Sequence, residues 1–299
     1  MNYRHAYHAG NFADVVKHAV LAAILAHLNA KPGAWRAIDA HAGIGAYALA
    51  GPEAAKTGEW RAGIGRLARL AGLGLPPGEE NSRALPAPSE EARAALAPYL
   101  GAVASANPDG ILRTFPGSPA VMRHLARTQD RLTLVELHPE DFSALRARYA
   151  GDRQVKTIPL DAWDAAKAFV PPKERRGLLL LDPPFEEAGE FARLAESLKA
   201  NHRRWATGIF LLWHPVKDLD AIRAYDAALK ALAIPKMLRV ELTVRKRTGA
   251  SLDGTALTVV NPPYTLEPAL EALLPFLSEA LAQGPGAGHR LEWLQGETP

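Results

Sequence analysis

The run Gly177-Leu-Leu-Leu-Leu-Asp182-Pro183-Pro184-Phe185 joins an apolar stretch to a carboxylate, two prolines and an aromatic ring. Two successive prolines remove backbone donors and fix the direction of the chain. What such a turn offers is acceptors: the Asp182 carboxylate and the Pro183 carbonyl, with the Phe185 ring beside them. This set suits a planar base that carries an exocyclic amino group. Its two N–H bonds meet two acceptors while its ring stacks on Phe185. The lone pair of such an amine is delocalised into the ring. Holding both hydrogens on acceptors favours a pyramidal nitrogen and frees that pair for attack. A second run, Asn261-Pro262-Pro263-Tyr264, repeats the pattern after the last predicted strand, and a structural or rim role is expected for it.

Three more carboxylates close apolar runs in the same way. Asp39 opens Asp39-Ala-His41-Ala-Gly43-Ile-Gly45, Glu136 follows RLTLV, and Asp161 follows QVKTIPL. The first loop has small residues where a backbone must pass close to a ligand. It lacks the Lys-Ser/Thr of a phosphate-binding P-loop and the full G-x-G-x-x-G of dinucleotide folds. An acid in the place of Glu136 accepts from ribose hydroxyls in dinucleotide folds. Asp161 either accepts from an adenine amino group or caps the helix AWDAAKAF.

The elements that must carry these residues are strands followed by helices. Apolar runs at 131–137, 154–160, 177–182 and 208–214 each precede a helical pattern, and 237–244 and 256–261 follow with only a loop between them. Alternating βα units imply a parallel sheet covered on both faces, and the direct link at the end implies an antiparallel pair. Five parallel strands with an antiparallel strand near the end is the arrangement of a class I, Rossmann-like α/β fold with a mostly parallel seven-stranded sheet. In such sheets ligands sit outside the carboxyl ends of the strands. Residues 11–29 have helical periodicity, with Asn11 or Asp14 as cap and Pro32-Gly33 as stop. A helix is expected after the Gly43 turn. Residues 51–115 interrupt the alternation with Ala/Arg/Leu helices and a Pro/Gly-rich loop near 74–89, expected to be mobile. The chain therefore divides into 1–50, with the N-terminal motif and the start of the main domain, a helical insertion at 51–115, and the rest of the main domain at 116–299.

Composition narrows the class. The chain has 299 residues, 48% hydrophobic and 22% charged, with no Cys. That excludes disulfide scaffolds, zinc–thiolate sites and thiol nucleophiles. The polar start is not a signal peptide, and AVLAAILAHL is too short to span a bilayer, so a cytoplasmic location without membrane attachment is expected. The net charge is +3, but residues 199–250 hold 11 Lys/Arg against 4 Asp/Glu. Such a basic segment points to an anionic partner, nucleic acid first. The segment Tyr3-Arg4-His5-Ala-Tyr7-His8 through Lys17-His18 interleaves basic and aromatic groups, which reads as base and phosphate contacts. The spacing of His5, His8 and His18 does not match a zinc helix, so no metal is expected.

[D/N]-P-P-[Y/F/W] after the fourth strand is the signature of amino-group N-methyltransferases. YRHAYHAGNFADVVKH, DAHAGIGAY, FPGSP at 115–119, VELHP at 135–139, LDAW at 160–163 and LLLLDPPF occur in order. In these motifs the chain closely resembles the J-type large-subunit ribosomal RNA methyltransferases, the 23S rRNA (adenine(2030)-N(6))-methyltransferases. The resemblance covers nearly the whole chain. It implies a class I S-adenosyl-L-methionine-dependent fold with a helical insertion. It places cofactor contacts on His18, His41, Ser118, Glu136, Asp161 and Ala162, and the catalytic acceptor on Asp182. Tyr3, with His5 and Lys17 nearby, would close over the target adenine, and Phe185 would stack on it. Phe185 stands where the family usually has Tyr, which keeps stacking and loses a hydroxyl.

The implied reaction is direct methyl transfer to N6 of an unstacked adenosine in 23S ribosomal RNA, by a monomer. Arg203-Arg204 and Arg245-Lys246-Arg247 would hold phosphates. Two other readings fit the catalytic turn or the basic patch alone: a DNA adenine-N6 methyltransferase and a non-catalytic RNA-binding module. A small-molecule methyltransferase fits the basic patch poorly.

Overall fold

The computed structural model describes residues 4–80, 83–249 and 251–297. A first helix, α1 (Phe12–Asn29), starts where Asn11 accepts the Asp14 N–H, and leads to β1 (Arg36–Asp39). The insertion follows as β2 (Ala46–Ala48), α2 (Pro52–Thr57), α3 (Ile64–Leu67), α4 (Glu90–Ser105) and β3 (Thr114–Pro116). Then come α5 (Ser118–Leu125), β4 (Arg131–Val135), α6 (Pro139–Arg148), β5 (Val155–Ile158) and α7 (Ala162–Phe169). The second half holds β6 (Gly177–Leu181), α8 (Glu190–Arg204), β7 (Ile209–Pro215), α9 (Leu219–Ala231), β8 (Met237–Thr243), β9 (Gly254–Val260), α10 (Leu266–Ala280) and β10 (Gly288–Gln295).

The main sheet runs β10-β8-β9-β7-β6-β1-β4-β5. Strands β5, β4, β1, β6 and β7 are parallel, and β9 lies antiparallel between β7 and β8. This is the class I methyltransferase sheet, as the strand–helix alternation predicts, with an eighth strand at one edge. Its period-two alternation explains why GLLLL is apolar throughout: Leu178 and Leu180 face the core of α1, α4 and α10, while Leu179 and Leu181 face the core of α7 and α8. Strand β10 escapes the sequence pattern because polar residues interrupt it, with His289, Arg290 and Trp293 exposed and Glu292 half-buried, and charge on an edge strand discourages further pairing.

One expectation is corrected here. No helix follows the Gly43 turn; Ala46–Ala48 is a strand paired with Thr114–Pro116, and Tyr47 is buried by it. That pairing and burial override the helix propensity of the alanines. The crossover helix between β1 and β4 is α5, because the insertion is spliced between the loop and its helix. The Pro/Gly loop is also tied down on both sides of residues 81–82. Arg61 pairs with Glu79, and Arg66 donates to the carbonyls of Arg83 and Ala84. Within the insertion, α4 packs on α1, α5 and α10, with Leu96, Tyr99 and Val103 in the same core as α1. Helix α1 is long enough to cross a bilayer and has a mean hydropathy of 1.3, but 78% of it is buried inside the protein.

Gly177 lets β6 approach β1. Its φ is +147°, and a Cβ there would lie 1.8 Å from the Arg36 carbonyl oxygen. Gly177→Ala is expected to destabilise the fold by about 3 kcal/mol, from backbone strain plus overpacking. A urea titration of both proteins checks this; an unchanged midpoint contradicts it.

Candidate active site

One pocket of about 530 Å³ opens at the carboxyl ends of the parallel strands. Chain direction decides which motifs reach it. Asp39, Glu136, Asp161 and Asp182 close four parallel strands, and all but the fully buried Asp39 line its wall. Asn261 closes the antiparallel β9 and so lies at the other end of the sheet. There it caps loops, donating through its side chain to the carbonyls of Ala206 and Gly208 just before β7. Tyr264 is 83% exposed, edge-on to His27. Of the two Pro-Pro turns, only residues 182–185 line the pocket.

The loop after β1 and the turn after β6 are coupled by one histidine. His41 donates its backbone N–H to Asp39 Oδ1 at 3.2 Å, and its Nδ1 accepts the Asp182 N–H at 3.1 Å. Burial lowers the His41 pKa to about 4, so the ring is neutral and able to accept. Gly43, at φ +57°, donates its N–H to Glu136 at 2.9 Å, and a Cβ there would meet the Tyr47 hydroxyl. Glu136 also accepts the His138 N–H. A carboxylate has lone pairs beyond these two bonds, so its capacity to accept from hydroxyls persists. Asp161 caps α7 by accepting from the Trp163 and Asp164 N–H groups and still lines the pocket, so the capping role does not exclude the other. Ala162, next to it, is buried in the wall.

On the opposite wall, Ser118 is the first residue of α5 and bonds the buried Asp39. Burial pushes Asp39 up to about 7, and its Oδ2 has no hydrogen-bond partner. His18 is buried against Phe115, and burial followed by Lys17 lowers its pKa to about 3; its Nδ1 is also unpartnered. Orphaned polar atoms at such depth call for a polar ligand.

At the centre lies a network that motif spacing does not reveal. The Lys17 ammonium is 2.5 Å from Asp182 Oδ2 and 2.9 Å from Asp14 Oδ1. Asp14 Oδ2 accepts from the Gly10 N–H and from His5 Nε2 at 2.9 Å. Burial opposes the charge on Lys17, but Asp14 and Asp182 outweigh it and raise its pKa. Burial likewise opposes the Asp14 charge, yet His5 and Lys17 hold its pKa well below the ordinary value. Lys17 therefore faces Asp182 rather than solvent, and Asp14 joins the site as well as the helix start. The signal present in the sequence was the Asp14–Lys17 spacing of one helical turn.

Phe185 has a left-handed φ of +55° and packs edge-on against Phe191 and Trp213, at 4.8 and 5.8 Å between centroids. Trp213, Lys217, Leu252 and Glu190 also line the pocket and were missed by the sequence motifs. Tyr3 lies outside the described residues. Among the described residues no cluster of three or more His, Asp or Glu side chains is arranged to hold a metal ion; His5 pairs with Asp14 and His8 with Glu59.

The basic segment 199–250 does not form one surface. Helix α8 begins at the pocket and ends at the amino ends of the strands, so Arg203 and Arg204 lie away from the pocket, and Arg204 donates to the Lys167 carbonyl. Arg239 is buried against Asp226. The loop after β8, with Arg245, Lys246 and Arg247, lies at the pocket end.

The sequence and the fold are similar to those of known proteins. A sequence profile described as "Ribosomal RNA large subunit methyltransferase D, RlmJ" matches residues 33–77 and 85–295. The chain is 35% identical to ribosomal RNA large subunit methyltransferase J of Haemophilus influenzae over 99% of its own length and 100% of that protein. It is 36% identical to the protein of the same name from Escherichia coli, over 98% and 99%. The crystal structure of LPL1258 from Legionella pneumophila superposes with a TM-score of 0.81 at 27% identity, covering 95% of this chain and 98% of that one. With the profile and both relatives spanning nearly all of it, the chain belongs to the RlmJ family of ribosomal RNA large subunit methyltransferases.

Proposed function

We propose that the protein transfers a methyl group from S-adenosyl-L-methionine to N6 of an adenosine in 23S ribosomal RNA. The observation that carries this reading is the turn at 182–185. Its carboxylate and the Pro183 residue line the same pocket as the Gly43 loop, and His41 ties the two together. The pocket fits the methyl donor: an acid at Glu136 for a ribose, Asp161 and Ala162 for the adenine end, and Ser118 and the orphaned Nδ1 of His18 in its wall. When bound, that donor supplies an electrophilic methyl on a sulfonium.

The chain's own residues do the rest. Asp182 accepts one N–H of the target amine and the Pro183 carbonyl accepts the other, which aims the nitrogen lone pair at the methyl carbon; as the N–C bond forms the S–C bond breaks, and the methylated nitrogen, now acidic, loses one proton to solvent. Lys17 fixes the Asp182 carboxylate from behind, and Phe185 supports the base. The neutral His41 holds the turn in place through its backbone. A base must leave its stack to enter such a pocket. Incubating the protein and labelled donor with rRNA stripped of modifications, and in parallel with duplex DNA, tests the reading. Label is expected on the RNA alone, and mass spectrometry of the digest is expected to give N6-methyladenosine at one position. Label on DNA alone, or on another base, contradicts it.

A further inference from the structure

A further cavity lies where the insertion meets the end of α10. Its volume is about 130 Å³ and its wall is Arg66, Arg69, Arg83, Ala84 and Leu85, with no acid. Arg66 is 8% exposed and donates to the carbonyls of Ala280, Arg83 and Ala84. Arg83 donates to those of Glu279 and Ala282. These bonds explain two of the three cations, since a helix carboxyl end favours positive charge. They leave Arg69 unexplained. It is exposed and has no acidic partner among the described residues. Burial and then the Arg83 charge lower the Arg66 pKa, as expected of cations that no anion offsets.

Chain direction brings this cavity to the pocket end of the sheet. Strand β9 leaves that end at Gly254, and α10 returns to it. Beyond α10, the N–H groups of Gln283 and Gly284 donate to the Val244 carbonyl, and the Lys246 N–H donates to Pro285. The loop that they join carries Leu252, which lines the pocket, and Lys217 stands on the same rim. In that loop Arg245 and Arg247 pair with Asp253 and Glu241. Lys246 is exposed with no acidic partner among the described residues.

We propose that the Arg66–Arg69–Arg83 cavity and Lys246 bind phosphodiester groups of the RNA strand flanking the target nucleotide, at the far end of a cationic track that begins at Lys217. The proposal rests on the reading that the substrate is an RNA. It assigns a nucleic-acid contact to the insertion and replaces Arg203-Arg204 as the place where phosphates are held. Planar guanidinium groups suit phosphate oxygens, and each phosphate contact adds to the salt dependence of binding.

The test is the double variant Arg69→Glu/Lys246→Glu, whose side chains are exposed and support no other group. Circular dichroism and thermal unfolding are expected to match the unaltered protein. On a long 23S rRNA transcript, KM is expected to rise about tenfold or more, with kcat retained, and the slope of log affinity against log salt to shrink by about two. On transcripts trimmed until they no longer reach the track, the double variant and the unaltered protein are expected to have equal kcat/KM. Arg203→Glu/Arg204→Glu, at the far end of the sheet, is expected to change neither quantity. An unaltered KM and salt slope on the long transcript overturns the track. An equal loss in the Arg203/Arg204 control also overturns it, because the effect would then be one of net charge. Failure of the unaltered protein to methylate any RNA is a different result, which removes the functional reading and the track together.

Discussion

Replacing Asp182 with alanine is expected to lower methyl transfer to RNA by at least about 10³-fold while leaving affinity for the methyl donor within a few-fold. The size follows from removing a preorganised polar group that acts on the reacting atom, an effect of about 10²–10³ in comparable sites, here with a buried ammonium left facing the amine. Lys17 would keep Asp14 but lose the carboxylate 2.5 Å away, and a cation beside the target nitrogen opposes the positive charge that it gains on methylation. Donor affinity survives because the anchor of the turn is a backbone N–H, donated to His41, which alanine retains. Single-turnover transfer of labelled methyl and equilibrium binding of the donor separate the two effects. Near-normal transfer by the variant would remove Asp182 from the mechanism.

The second large effect concerns Lys17→Met. The methionine stem fills the space of the lysine, but Asp14 and Asp182 lose the cation between them. Removing one partner of a buried charge pair costs about 3–5 kcal/mol. The pH dependence should also weaken. In the natural protein the folded pKa of Asp14 is depressed, so its contribution to stability is present above the unfolded carboxylate pKa and is lost as pH falls through the folded value. Without Lys17, burial still opposes the Asp14 charge, and only His5 and the Gly10 N–H offset it, so the depression of the folded pKa shrinks. The stability that Asp14 contributes above the unfolded carboxylate pKa is then smaller, and less of it is lost on acidification. Urea midpoints are expected to drop less between pH 7.5 and pH 3 for the variant than for the natural protein. An equal drop would show that Lys17 does not hold the Asp14 carboxylate.

Much of the site was legible because its signals are local. Each strand's final carboxylate follows an apolar run of its own, and Asp182-Pro183-Pro184-Phe185 carries its turn, acceptors and ring in four consecutive residues. The place of His41 in the loop after β1 was legible too, though its bond to the Asp182 backbone was not. Less local features escaped. Helix propensity in GIGAYAL favours a helix, and only pairing with residues 114–116 makes it a strand. The ion pair between Lys17 and Asp182 spans 165 positions, and no periodicity links residues so far apart.

The sequence by itself determined the βα alternation, the sheet class and the chemical groups at each strand end, because side-chain period and turn chemistry act over a few residues. Only the tertiary structure decided which groups share one end of the sheet. Two Pro-Pro turns have nearly the same letters, yet the direction of β6 carries one into the pocket and the reversed β9 carries the other away. The same rule separates Arg203 from Lys246. Direction in a sheet is set by hydrogen-bond pairing between distant segments, and neither segment contains that information alone.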